Sequence, residues 1–229
     1  MDYITELFCI LDDFCKKFNE SLEKALISDQ KTTMKKSALS LSEVMTIVIL
    51  FHKSGFRFFK YFYCHMIIPF WKSAFPKLLS YNRFIEIMPR CLQALSSFFH
   101  QVKGEDTGIC IIDSTKLVVC HNLRIKRHRV FKGLAGRGKS STGWFYGFKV
   151  HIVINNLGEI INLKITSGSV HDVAVLESLT QELKGILLGD KGYLSKAKTE
   201  ALAARGLRQL TPSRKNMKKQ WHGQKSIAK

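Results

Sequence analysis

The sequence predicts an α/β fold, a mixed sheet with flanking helices, preceded by an all-helical N-terminal domain. Three observations carry this. Apolar residues recur at helical spacing through residues 1–102. From residue 107 the period shortens to that of strands, separated by Gly- and Asn-bearing turns. Two apolar runs in the second half, Ile109-Cys110-Ile111-Ile112 and Ile186-Leu187-Leu188-Gly189, lead into Asp113 and Asp190. Three regions follow: a helical domain over 1–102, a sheet domain over 103–212 and a basic tail over 213–229.

In the first region, residues 2–26 place Ile4, Leu7, Phe8, Leu11, Phe14 and Cys15 on one helical face. Residues 28–37 are a polar, lysine-bearing linker. Ser40 and Glu43 stand at capping-box spacing before a buried helix over 44–52, which Gly55 breaks. Residues 56–71 are an aromatic-rich amphipathic piece that stops near Pro69. Residues 79–82 make a turn, and 83–100 a further helix kinked or broken at Pro89. A short helix pair in this region suits a helix-turn-helix contact with DNA as well as a plain bundle.

In the second region the expected order is a strand over 108–113, a strand over 116–120, and an irregular basic stretch over 121–142. A long hairpin follows, over 144–155 and 159–166, turning at Asn155-Asn156-Leu157-Gly158. A helix over 172–183 takes Asp172 as its N-cap and puts Val173, Leu176, Leu179 and Leu183 on one face. A strand over 186–189 reaches Asp190. A helix over 195–205 ends at Gly206, and a short strand over 207–210 closes the order.

The formal net charge is +18 over 229 residues, which points to a polyanionic partner, nucleic acid before membrane. The charge is uneven: residues 1–112 carry 14 Lys+Arg against 11 Asp+Glu, and residues 113–229 carry 22 against 7. The half that holds Asp113 and Asp190 is therefore the electropositive half. The six cysteines show no C-x-x-C and no Cys/His ligand spacing, and they read as reduced packing residues of a cytoplasmic protein. No signal peptide is visible, and the apolar runs at 44–51 and 66–71 fall far short of the ~20 residues a spanning helix needs.

Residues 133–140, Gly-Leu-Ala-Gly-Arg-Gly-Lys-Ser, match the phosphate-loop pattern G-x-x-x-x-G-K-[ST] letter for letter. That motif requires a buried strand before it and a helix opening after it. Here a charged stretch precedes it and a strand pattern follows. The better reading is a flexible basic loop that follows a nucleic-acid backbone, with Arg124, Lys126, Arg127, Arg137 and Lys139 as its DNA contacts.

Two strand-end carboxylates in a basic domain suit a divalent cation. Mg²⁺ (or Mn²⁺) takes hard oxygen ligands and is usually held by one or two carboxylates together with substrate phosphate. Asp113 and Asp190 are the candidate metal ligands and catalytic residues. The order of elements resembles that of an RNase H-like fold.

Four blocks carry a family resemblance: Ile112-Asp113-Ser114-Thr115, the run from Gly143 to His151, His171-Asp172, and Gly189-Asp190-Lys191-Gly192-Tyr193. Together they resemble the transposases of bacterial insertion sequences of the DDE class, over about residues 40–215. The resemblance implies metal-dependent cleavage and strand transfer at the terminal inverted repeats of double-stranded DNA. It also implies a homo-oligomer on that DNA and a nucleoid-associated, non-membrane location. Asp113 and Asp190 become the first two metal ligands, Lys191 and Tyr193 lie beside the scissile DNA, and His151 and His171 stand near the site. The family's third ligand is a Glu on a helix after the last strand. Here no acidic residue follows Glu200, which sits on the intervening helix, out of reach of the metals. The expectation is a transposase cut short before its third acidic residue, inactive or weakly active. The alternative is a non-catalytic DNA-binding remnant that occupies element ends.

Overall fold

The computed structural model describes residues 3–26 and 38–211. The linker expected over 28–37 and the tail over 213–229 lie outside the described residues. The chain divides into two compact units, Met1–Val102 and Lys103–Lys229.

The first unit is helical: α1 (Tyr3–Leu26), α2 (Leu41–Lys53), α3 (Phe59–Phe62), α4 (Ile68–Phe70), α5 (Tyr81–Ile87) and α6 (Leu92–Val102). Its core gathers Leu11, Met45, Ile47, Phe62, Phe84 and Ala94, all fully buried. The Ser40 hydroxyl accepts from Glu43 N at 3.1 Å and the Glu43 carboxylate accepts from Ser40 N at 2.6 Å, a complete capping box. Proline acts twice. Pro69 lacks the N–H that would bond one turn back, and a π turn (Tyr63–Ile67) joins α3 to α4 just before it. Pro89 sits in a 3-10 turn (Met88–Cys91) between α5 and α6, at the expected kink.

The second unit holds β1 (Ile109–Cys120), β2 (Gly136–Ser140), β3 (Gly143–Asn155), β4 (Ile160–Ser167), α7 (Asp172–Leu179), β5 (Gly185–Gly189), α8 (Lys196–Ala204) and β6 (Leu207–Leu210). β3 pairs antiparallel with β1, and β4 and β2 pair antiparallel with β3. β5 pairs parallel with β1 and β6 parallel with β5. The order β4-β3-β1-β5-β6, antiparallel on one side of β1 and parallel on the other, is the RNase H-like mixed sheet.

Two details differ from the sequence reading. Residues 108–120 are not two strands: β1 runs unbroken through Asp113. Ser114-Thr115-Lys116 offers no Gly or Pro to stop it, and β3 pairs with it from Cys110↔Asn155 to Val118↔Gly147. The basic stretch over 121–142 is not wholly irregular: it forms a 3-10 turn (Asn122–Arg127) and then β2.

One sheet face carries Cys110, Ile112, Val153, Ile161, Leu187 and Leu207. It packs against Val175, Leu176 and Leu179 of α7 and Leu202 of α8. Fully burying each such aliphatic contributes about 1.5–3 kcal/mol. Ile109, Ile111, Leu163, Ile165 and Leu188 are between 38% and 57% exposed. The start of the parallel pair is tied by Asp106, whose carboxylate accepts from Gly108 N at 2.9 Å and Lys184 N at 2.8 Å. Burial works against its ionised form, but these backbone donors win and hold the carboxyl below its ordinary range.

Candidate active site

In the parallel ladder Ile112 is registered with Gly189, the last pair on that side of β1. The next residue on each strand is an aspartate. Asp113 continues along β1, while Asp190 leaves β5 in extended conformation and opens a 3-10 turn (Lys191–Tyr193). Both are exposed and both line one cavity of about 320 Å³. The Asp113 carboxylate accepts from Ser114 N at 2.7 Å.

The same cavity brings in a third carboxylate, Asp172, and three lysines, Lys116, Lys139 and Lys149. Asp172 is the first residue of α7 and not its cap; His171 holds the cap position without a side-chain bond to the helix. The carboxylate turns instead to Lys149, whose ammonium donates to Asp172 Oδ1 and to Val170 O, both at 2.9 Å. The pair is largely enclosed, with side chains 14% and 21% exposed. Lys116 donates to Thr142 Oγ1. The cavity is thus acidic at the sheet edge and cationic beside it, as a site for a phosphodiester needs.

Behind the cavity lies a buried polar chain. His151 on β3 is fully buried, with Nδ1 3.1 Å from Tyr193 Oη and Nε2 3.0 Å from Thr166 Oγ1. Burial pushes its pKa below the ordinary value, outweighing the opposite pull of Asp172. Tyr193 is 1% exposed, and burial raises its hydroxyl pKa.

Of the expected site residues, Asp113, Asp190 and Lys139 meet at the cavity, and Tyr193 forms part of its wall. Tyr193 was expected as a DNA contact; its side chain is instead enclosed, with its hydroxyl engaged by His151. His151 stands beneath the site, while His171 is exposed at the start of α7. Lys191, exposed, follows Asp190 directly. Arg137 and Lys139 lie over the Trp144 ring at 4.9 and 5.9 Å. Arg124, Lys126 and Arg127 are exposed on the 3-10 turn, which Asn122 fastens to β3 through a 2.9 Å bond to Trp144 O. Glu200 is exposed on α8 and is not among the described residues that line the cavity. Sequence reasoning missed Lys116 and Lys149 as cavity residues and gave Asp172 a capping role. The hint was available: Lys149 and His151 alternate on β3, and both fall in a block that already stood out.

The Gly133–Ser140 run is no phosphate loop, because its second half is β2. A side chain at Gly138 would meet Gly168 O at 2.1 Å, and one at Gly136 would meet Ser167 Oγ at 2.1 Å. These glycines serve close packing within the sheet.

Topology and cavity together define an RNase H-like domain with paired carboxylates. Residues 103–227 match the family model described as the transposase DDE domain, and the chain belongs to that family. No curated protein matches it. A piggyBac transposase synaptic complex with hairpin DNA is similar, with a TM-score of 0.44, 10% identity, and coverage of 85% of this chain and 47% of that one. The Mos1 mariner paired-end complex with Mn has a TM-score of 0.29 at 10% identity, covering 86% of this chain and 67% of that one. The chain spans about half the length of the piggyBac transposase chain.

Proposed function

We propose that the chain acts as a DNA transposase on the ends of a bacterial insertion sequence, by metal-dependent phosphodiester cleavage and strand transfer. The observation that carries this is the shared position of Asp113 and Asp190, one residue past the Ile112–Gly189 pair and in one cavity with three lysines. The donor set fits Mg²⁺ or Mn²⁺: two exposed, hard carboxylates with room for water and phosphate oxygens. Asp113 and Asp190 would hold the ion, which when bound activates a water or 3′-hydroxyl and stabilises the leaving oxygen.

The chain's own residues then have distinct tasks. Lys116 and Lys139 receive the phosphate backbone at the cavity, and Lys191 does so beside Asp190. Arg124, Lys126, Arg127 and Arg137 extend the contact along double-stranded DNA carrying the terminal inverted repeats. His171, exposed beside Asp172, borders the site, and the helical unit supplies a further DNA contact. Two copies acting together on paired ends, at the nucleoid in the cytoplasm, complete the reading. No described helix is long and apolar enough to cross a membrane.

A second reading is a non-catalytic protein that occupies element ends. It is favoured by one observation: among the described residues no group of three or more His, Cys, Asp or Glu side chains could hold a metal ion. Nicking of supercoiled DNA bearing the element ends, with Mn²⁺, separates the two. Cleavage that is lost in both Asp113→Asn and Asp190→Asn supports the first reading, and cleavage surviving both changes overturns the site assignment. Metal-independent binding without cleavage, falling steeply with salt, supports the second.

A further inference from the structure

Asp113 lies within β1, paired with Ile152 of β3, so its place is fixed by the sheet. Asp190 is not: it is the first residue beyond β5, and its position depends on the 3-10 turn that follows. What fixes the turn also fixes the separation of the two carboxylates.

The turn is held chiefly through Tyr193. Its backbone N–H donates to Asp190 O at 3.0 Å, closing the turn on the aspartate itself. Its backbone carbonyl accepts from Gln209 Nε2 of β6 at 3.0 Å. Its ring runs back beneath the cavity toward β1 and β3. There the hydroxyl meets His151 Nδ1 at 3.1 Å. His151 faces Ser114 in the β1–β3 register, so the group that holds the hydroxyl belongs to the paired part of the sheet beside Asp113. Asp172 closes the other side of the turn: a side chain at Gly192 would meet its Oδ2 at 2.8 Å.

We infer that Tyr193 is a positioning residue, a strut whose hydroxyl, held by His151, sets the distance between the Asp113 and Asp190 carboxylates. It touches neither DNA nor metal; it acts through Asp190. A Mg²⁺ or Mn²⁺ ion shared by two carboxylates tolerates little error in their spacing, because its oxygen ligands stand at about 2.0–2.2 Å in near-octahedral geometry. Removing the hydroxyl therefore weakens metal binding while leaving the DNA-contacting lysines in place. The inference rests on the proposed metal-dependent reading.

The test is Mn²⁺ titration of the full chain, followed by the spectroscopic signal of the free ion, well below each variant's melting temperature. Tyr193→Phe keeps the ring and its packing. Its expected result is Mn²⁺ affinity lower by about 10-fold, with affinity for an oligonucleotide duplex unchanged in metal-free buffer. A merely structural tyrosine would lower the melting temperature and leave Mn²⁺ affinity alone. His151→Leu, which removes the hydroxyl's partner, weakens Mn²⁺ binding in the same direction, and reads the same contact should Tyr193→Phe not fold. Wild-type Mn²⁺ affinity in Tyr193→Phe, or in His151→Leu where that variant stands in, overturns the inference provided Asp113→Asn and Asp190→Asn both lose affinity. If the two Asn variants bind Mn²⁺ as the wild type does, the metal-site reading itself falls.

Discussion

Asp113 and Asp190 each sit one residue beyond the Ile112–Gly189 pair, so the parallel β1–β5 ladder is the ruler that brings them together. The ladder begins where Gly185 passes against Gly108. Gly185 has a φ of +89°, and a side chain there would meet Gly108 O at 2.2 Å. Gly185→Ala must push β5 away from β1 at the start of the ladder. The expected cost is about 2–3 kcal/mol, read as a lower melting temperature. Cleavage should fall further than the loss of folded protein explains, because Asp190 moves with β5. A variant as stable as wild type would show that the start of the ladder does not constrain the site.

Much of this arrangement was legible in the sequence, for physical reasons that can be named. A run such as Ile109-Cys110-Ile111-Ile112 before a carboxylate reads as a strand that delivers the carboxylate, and β1 does so, with one face buried and the strand continuing past Asp113. Ser40 and Glu43 announce a helix start because each satisfies the other's backbone. Gly206, with a φ of +85°, ends α8 where only glycine is comfortable. What could not be read depends on partners far away in the chain. β1 continues past Asp113 because β3 is long enough to pair with it. β2 is a strand of Gly, Arg, Lys and Ser, whose small residues make sense only against Gly168 and Ser167 of the following hairpin. Asp172 looks like a cap from its neighbours alone. It becomes a cavity residue once the sheet register puts Lys149 beside the start of α7.

The Lys149–Asp172 pair yields a stability prediction. Both side chains are mostly buried, so removing one partner leaves an enclosed charge uncompensated. Lys149→Met should cost about 1–3 kcal/mol, below the full penalty of a wholly buried pair because water still reaches Asp172. Lys149→Met combined with Asp172→Asn should recover part of that loss, giving a coupling energy in a double-mutant cycle by chemical denaturation. Strict additivity of the two changes would mean that the pair does not interact in solution.

His151 sets a pH dependence whose sign follows from its burial. Its folded-state pKa lies below the ordinary 6.5, with desolvation the main cause. Lys149 and Lys164 push the same way, and Asp172 opposes them. Below about pH 6.5 the unfolded chain takes up a proton that the folded chain refuses. Stability is therefore full above that pH and is lost as pH falls through the window below it. The loss is at most about 1.4 kcal/mol per pH unit, until the folded-state pKa is reached. Thermal melts between pH 7.5 and about 5 should show this slope in the wild type and a shallower one in His151→Gln. Equal slopes in both would assign the pH dependence to other groups.

Gly138 separates the sheet reading of the Gly133–Ser140 run from the nucleotide reading. As part of β2 it is buried, and a side chain would strike Gly168 O at 2.1 Å and the Phe145 ring at 2.8 Å. The carbonyl is backbone and cannot move aside cheaply. Gly138→Ala should lower stability by about 1–3 kcal/mol and should loosen Lys139, the neighbour that faces the cavity. Lys139→Ala, by contrast, should leave the melting temperature nearly unchanged, because its ammonium reaches solvent and the Trp144 face rather than the core. Its effect should appear in binding to duplex DNA, as a weaker affinity and a salt slope reduced by about one unit. In calorimetric titration with Mg-ATP the wild type should give no saturable heat. Saturable ATP binding that disappears in Lys139→Ala would restore the phosphate-loop reading and displace the one given for β2.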